Sequence, residues 1–225
     1  MNNPPNDAHL KFTPDGFARP YYGNTIISYL TEPDSDVYQA SVAVQNEIKA
    51  SPLADCLVFL PPSSFHFTVL TLCREIDRHG IYWPQYIPGE TKFKEIDRIL
   101  SDKVAQIPYP NHIQMRMVGG TEKHIALEAA GEKDRQKLKN YRDTVAELTG
   151  IRHYLHDTFR YHVTLTYINR KNDQGLLVEK EALRKRLDRI LIDYNPVFSA
   201  PSAVFAIFND MLSYETDLSK RGDLY

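Results

Sequence analysis

The strongest constraint on this chain is a pattern that occurs twice. Phe65-His66-Phe67-Thr68-Val69-Leu70-Thr71-Leu72 and Tyr161-His162-Val163-Thr164-Leu165-Thr166-Tyr167-Ile168 each set a histidine after an aromatic residue and a threonine two positions on. Both runs are rich in β-formers and read as strands. Side chains on a strand alternate between faces. His66 and Thr68 then share one face, and Phe67 and Val69 anchor the other. His162, Thr164 and Thr166 likewise share a face, backed by Val163, Leu165 and Tyr167. A segment built this way needs a packed layer behind it and open space in front.

The surroundings of the two runs also repeat. Gly23–Leu30 reads as a strand, followed by a helix that Asp34 or Ser35 can cap and that runs to about Ala50. Val37, Ala40, Val44 and Ile48 form its apolar face. Cys56–Leu60 is a short strand before the first histidine strand, and Thr91–Ile107 an amphipathic helix after it. The second round has strands at His112–Val118 and His124–Ala130, with Gly119-Gly120 as the hairpin signal. A helix at Glu132–Thr149 stopped by Gly150, the strand Phe159–Ile168 and the helix Val178–Ile192 follow. Ala203–Phe208 and Leu212–Thr216 close the pattern as strands. The expectation is an α+β fold of two pseudo-twofold-related lobes, with antiparallel sheets flanked by helices around a central cleft. The lobes cover about 21–108 and 109–217 of a single domain, 21–225, after an irregular proline-bearing arm, 1–20. Parallel βαβ winding is the alternative, but the hairpins and the lack of a Gly-rich phosphate loop speak against it.

A formal net charge of -2 and a pI near 6.4 argue against an extended nucleic-acid surface, while leaving room for a local basic pocket. Cys56 and Cys73 lie in apolar runs and read as small buried hydrophobes rather than a disulfide framework or zinc knuckle. The N-terminus is polar and no run is long enough to span a bilayer. A cytoplasmic protein without membrane contact is expected, with a monomer the simplest assembly.

The paired residues carry a chemical meaning. An imidazole accepts or donates a proton near neutral pH, and a hydroxyl two residues on can hydrogen-bond phosphate oxygens. Two such units facing one another set one imidazole beside an attacking water and the other beside a leaving oxygen, as in-line displacement at phosphorus requires. At these residues the chain resembles the two-histidine (2H) phosphoesterases, defined by a pair of His-x-Thr/Ser motifs. Tyr-Tyr-Gly-Asn-Thr at 21–25 and Leu-Pro-Pro-Ser-Ser-Phe-His at 60–66 look closest to its bacterial and fungal branch of unknown function. The resemblance covers roughly 17–217. It implies metal-independent hydrolysis of a cyclic phosphodiester, a 2′,3′-cyclic nucleotide, an RNA end or a related 2′-5′ linkage, without a cofactor or metal. His66 and His162 would be general base and general acid, in either order, and Thr68 and Thr164 would bind phosphate. A nucleotide-binding or sensor module on the same fold, without significant turnover, is the alternative; a zinc hydrolase is a more distant one.

Further residues could border the cleft. Tyr22, Trp83 and Tyr161 could stack on a base or position a phosphate, and Arg74 and Arg160 could steer an anion. Tyr167 alternates away from the histidine face. His153 and His156 read as a surface pair and His112 and His124 as structural. Lys180–Arg186 reads as the solvated face of a helix.

Overall fold

The computed structural model describes residues 8–169 and 177–222. The helices are α1 (Ala8–Lys11), α2 (Asp36–Lys49), α3 (Phe93–Val104), α4 (Glu132–Thr149) and α5 (Leu177–Ile192). The strands are β1 (Gly23–Tyr29), β2 (Leu57–Phe59), β3 (His66–Arg74), β4 (Gln114–Gly120), β5 (His124–Ala129), β6 (Tyr161–Thr164), β7 (Thr166–Ile168), β8 (Val197–Ser199) and β9 (Val204–Phe208). Among the described residues they form a seven-stranded sheet, β8-β4-β5-β6-β3-β1-β9, and a ribbon, β2-β7. Each pairing is antiparallel. No helix among the described residues is long and apolar enough to cross a membrane.

Local chemistry sets the helix ends. The Ser35 hydroxyl accepts the Tyr38 amide at 3.4 Å and opens α2, and Gly150, at φ +67°, closes α4 in the left-handed conformation that favours glycine. The two copies of the sequence pattern are β1–α2–β3 and β5–α4–β6. Each is followed by a helix. After α3, β4 pairs with β5 of the other copy; after α5, β8 pairs with β4, and β9 then pairs with β1. The expected pair of sheets is therefore one continuous sheet, joined where Phe67 of β3 pairs with Val163 of β6.

One face of that sheet is the main core. Ile26, Phe67, Val163, Ile125 and Met115 join Val44 of α2, Ile96 of α3, Leu138 of α4 and Leu187 of α5 in a single apolar cluster. Each such buried side chain contributes about 1.5–3 kcal/mol, so the seam between β3 and β6 is firmly backed. A smaller cluster of Phe12, Tyr21, Leu60, Phe208 and Met211 lies on the opposite face. Gly23 opens β1 because a Cβ there would overlap the Phe208 ring and the Cys73 carbonyl.

A buried ion pair ties this edge to α3. Arg221 meets Asp97 bidentately at 2.6 and 2.8 Å and also donates to the carbonyls of Gly23 and Phe208.

Some boundaries differ from the sequence reading. Gly119 and Gly120 belong to β4 beside a register shift, and the hairpin turns at Thr121–Lys123 instead. The expected strand 159–168 breaks at Leu165, whose amide goes to the Lys123 carbonyl, and the chain moves on to pair with β2. Leu212–Thr216 supplies a single bridge, Ile207 to Glu215. Residues 1–7 of the arm lie outside the described residues. Cys73 is buried and Cys56 half-buried, both as free thiols.

Candidate active site

The seam builds the site. With Phe67 opposite Val163, continuing the antiparallel register by one residue sets Thr68 against His162 and His66 against Thr164. Residues facing each other across a ladder share a face. All four motif side chains therefore stand on the face opposite the main core, each histidine across from the other motif's threonine.

The two rings are held alike. His66 Nδ1 lies 2.7 Å from the Ser64 carbonyl, and His162 Nδ1 lies 3.1 Å from the Arg160 carbonyl. A carbonyl can only accept, so each Nδ1 carries the proton and donates it, leaving Nε2 as the nitrogen available for chemistry. Burial pushes His66 down to about 4, opposed by the Ser64 carbonyl and reinforced by His162. His162 is also lowered, first by burial and then by the charges of Lys123 and Lys11, against the pull of the Arg160 carbonyl. Both rings are thus poised neutral until an anion arrives.

Beside Thr68 is a cavity of about 130 Å³, lined by Lys11, Tyr21, Thr25, Thr71, Arg74, Tyr167, Phe208, Met211 and Tyr214. Two irregularities in the β1–β3 register shape its wall. Thr68 pairs with Ile27 but Leu70 with Ile26, and Thr71 pairs with Thr25 but Arg74 with Gly23. Each slip inserts a residue into β3, so Thr68, Thr71 and Arg74 reach the same cavity at a spacing of three rather than two. Tyr214 links this cavity to His66, its ring centroid 4.1 Å from the imidazole.

Several expected residues lie elsewhere. Trp83 is a core residue, 8% exposed, whose indole N–H donates to the Ile87 carbonyl at 2.8 Å. Tyr161 alternates away from His162 and sets its ring 5.9 Å from Phe67 on the core side. Tyr22 packs near Gly222, and its neighbour Tyr21 takes the place in the cavity. Arg74 does line the cavity, paired with Asp77 at 2.6 Å. Arg160 borders a separate space of about 460 Å³ that also touches Ala126, the cross-strand partner of His162.

Other side chains stand closer to the motifs than the sequence reading allowed. His124 opposes Thr164, its ring centroid 5.1 Å from His162, and burial lowers it to about 4. Tyr167 lines the cavity because the break at Leu165 resets the alternation. His156 is 4% exposed, not a surface residue. It hydrogen-bonds Asp143 at 2.8 Å, and with Asp157 these offer ligand atoms within 4.8 Å of one another. Lys139 and Arg152 already pair with those carboxylates, so the cluster is poorly suited to a divalent cation.

A family profile described as "2H-phosphodiest: Domain of unknown function (DUF1868)" matches residues 11–126, more than half of the 225. The chain belongs to this family. It is thus a member of the 2H phosphoesterase superfamily, in a branch of unknown function, and membership points to phosphodiester hydrolysis as the class of chemistry. The crystal structure of a conserved protein of unknown function, ATU0111 from Agrobacterium tumefaciens, is 29% identical over 96% of this chain and 93% of its own, with a TM-score of 0.88. TT0787 of Thermus thermophilus is 18% identical over 82% of this chain and 86% of its own, at a TM-score of 0.42. LigT of E. coli in its apo form is 13% identical over 84% and 87%, also at 0.42. A search of curated proteins gave no match.

Proposed function

We propose that this 2H family member hydrolyses a cyclic phosphodiester, a 2′,3′-cyclic nucleotide or RNA end, without a metal, with His66 as general base and His162 as general acid. The observation that carries the reading is the Phe67–Val163 pairing, which brings both His-x-Thr units to one sheet face. In the reaction a water attacks phosphorus as His66 Nε2 takes its proton. The bond from phosphorus to the 2′ or 3′ oxygen breaks, and His162 Nε2 gives that oxygen a proton. The product is a phosphomonoester beside a free hydroxyl, and exchange with solvent resets both rings. Thr68 and Thr164 hold the non-bridging oxygens. His66 is assigned the base because its burial and its neighbour keep it neutral down to about pH 4. His162 then carries the proton, aided by the charge of the arriving phosphate.

The test is hydrolysis of 2′,3′-cyclic AMP in EDTA by the wild type, His66→Ala and His162→Ala. Loss of each imidazole is expected to cost about 10²–10⁴-fold in kcat. The pH profile gives a second check. In the free enzyme the base titrates near 4 and the acid below the usual 6.5 of histidine. kcat/KM should therefore peak on the acid side of neutrality and fall as pH rises through the His162 pKa, while the bound phosphate moves the kcat profile to higher pH. Nucleotide affinity with no turnover in the wild type would replace this reading with a binding module.

A further inference from the structure

The arm before β1 is anchored across the histidine face. After the single turn of α1, Phe12 is 1% exposed and bridges to Ala18, and its ring lies 5.3 Å from that of Tyr167. The Arg19 amide returns to the Lys11 carbonyl at 2.8 Å, and Arg19 Nε donates to the Phe12 carbonyl at 3.2 Å. Fixed in this way, Lys11 extends over two aromatic faces, with Nζ 5.2 Å from the Tyr21 ring and 4.7 Å from the Tyr167 ring. Its side chain lines the same cavity as Thr68, Thr71 and Arg74. Arg74, which lines it too, holds Asp77 through two hydrogen bonds. The ammonium of Lys11 approaches from the opposite segment of the chain.

We propose that Lys11 contacts the phosphate and neutralises the charge that gathers on its non-bridging oxygens, so that the N-terminal arm completes the active site. The proposal rests on the phosphodiesterase reading. A cation held in place beside the phosphate stabilises the charge that gathers in the transition state without having to reorganise. Lys11 forms and breaks no bond; the proton traffic stays with the two histidines. Its influence already reaches the second motif, since its charge helps to lower His162. Phe12 is then a positioning residue, holding the lysine through the Tyr167 contact.

The experiment uses the full chain and 2′,3′-cyclic AMP in EDTA, comparing the wild type with Lys11→Met, Lys11→Arg and Phe12→Ala. Methionine keeps an apolar stem over the two tyrosines and removes the charge. Lys11→Met should lower kcat about 10²-fold with KM changed less than about threefold, as for loss of one transition-state donor. Lys11→Arg should stay within about tenfold of the wild type, and Phe12→Ala should fall between the two. The alkaline limb of kcat/KM should also move to higher pH in Lys11→Met, because His162 loses a cationic neighbour; the fall in kcat at nearly constant KM is what separates the phosphate contact from this field effect. Wild-type kcat and KM in Lys11→Met, with His66→Ala inactive, would overturn the proposal and leave the hydrolytic reading standing. So would a rise in KM alone. If the wild type itself fails to turn over, calorimetric binding of adenosine 2′- and 3′-monophosphate decides. An affinity unchanged in Lys11→Met overturns the phosphate contact, and a tenfold loss supports it.

Discussion

The two His-x-Thr strands are equivalent in sequence and unequal in surroundings. β3 runs nine residues between β1 and β6, whereas β6 runs four before the chain leaves at Leu165. His66 is 7% exposed beneath Tyr214, and the small cluster of Phe12, Tyr21, Leu60, Phe208 and Met211 roofs that half of the face. His162 is half-buried, with His124 and Lys123 for company. The cause is connectivity: the arm, the β2–β7 ribbon and the segment after β9 all converge on the β3 half. A repeat can thus fix where two imidazoles stand while unrepeated segments decide how each one titrates.

The largest effect should come from separating the histidines with leaving groups of different quality. On 2′,3′-cyclic AMP both alanine variants should lose about 10³–10⁴-fold, near the upper end for proton transfer. On a nucleoside p-nitrophenyl phosphate diester, whose leaving oxygen needs no proton, His162→Ala should recover to within about tenfold of the wild type. His66→Ala should not recover, since water must still be activated. Recovery in His66→Ala instead would reverse the two roles; equal losses on both esters would mean that burial does not distinguish them.

A smaller but still large effect should separate the two buried arginines. Arg221, in the β1–β9 half, is 3% exposed and its partner Asp97 is fully buried. Arg221→Met leaves that carboxylate without a counter-charge, with only the Asn24 amide donating to it at 2.9 Å, and should cost about 3–5 kcal/mol in a denaturant melt. Arg142, in the β5–β6 half, is 5% exposed, stacks 4.4 Å from Phe159 and donates to the His156 carbonyl at 2.7 Å. It has no carboxylate partner among the described residues, so Arg142→Met strands no charge and should cost only about 1–2 kcal/mol. Equal costs would show that the Asn24 amide is enough to hold the Asp97 carboxylate without Arg221.

Much of this was legible in advance because it is local. The Ser35 cap, the Gly150 stop, the apolar faces of α2 and α3 and the alternation through Phe67 and Val163 all follow from short-range chemistry. What escaped depends on irregularity or distance. A strict period of two sends Leu70 and Leu72 to the histidine face, whereas the inserted residues bring Thr71 and Arg74 there. Threonine, threonine and arginine at every third position of an apolar run, 68, 71 and 74, was the available signal. The break at Leu165 likewise moved Tyr167 into the cavity. Asp97 reads as part of the polar face of α3 until Arg221, 124 positions away, meets it. Lys11 and His124 carried no sequence signal, since their role is set by what folds against them.

The smallest contrast is expected between the threonines, and it tests the roof over the β3 half. Each hydroxyl is assigned a hydrogen bond to a charged phosphate, an interaction with a net contribution of about 1.5–3 kcal/mol. Thr68 lines the cavity bordered by Tyr21, Tyr167, Phe208 and Tyr214, so a deleted hydroxyl leaves its phosphate oxygen among apolar rings. Thr164 stands beside the half-buried His162 and opposite His124, polar neighbours among which water can substitute at little cost. Thr68→Val should therefore reduce kcat/KM about 30-fold and Thr164→Val about fivefold, while the serine variants, which keep the hydroxyl, stay close to the wild type. Equal losses would mean that bound substrate closes both halves alike, and the inequality described here would then belong to the free protein alone.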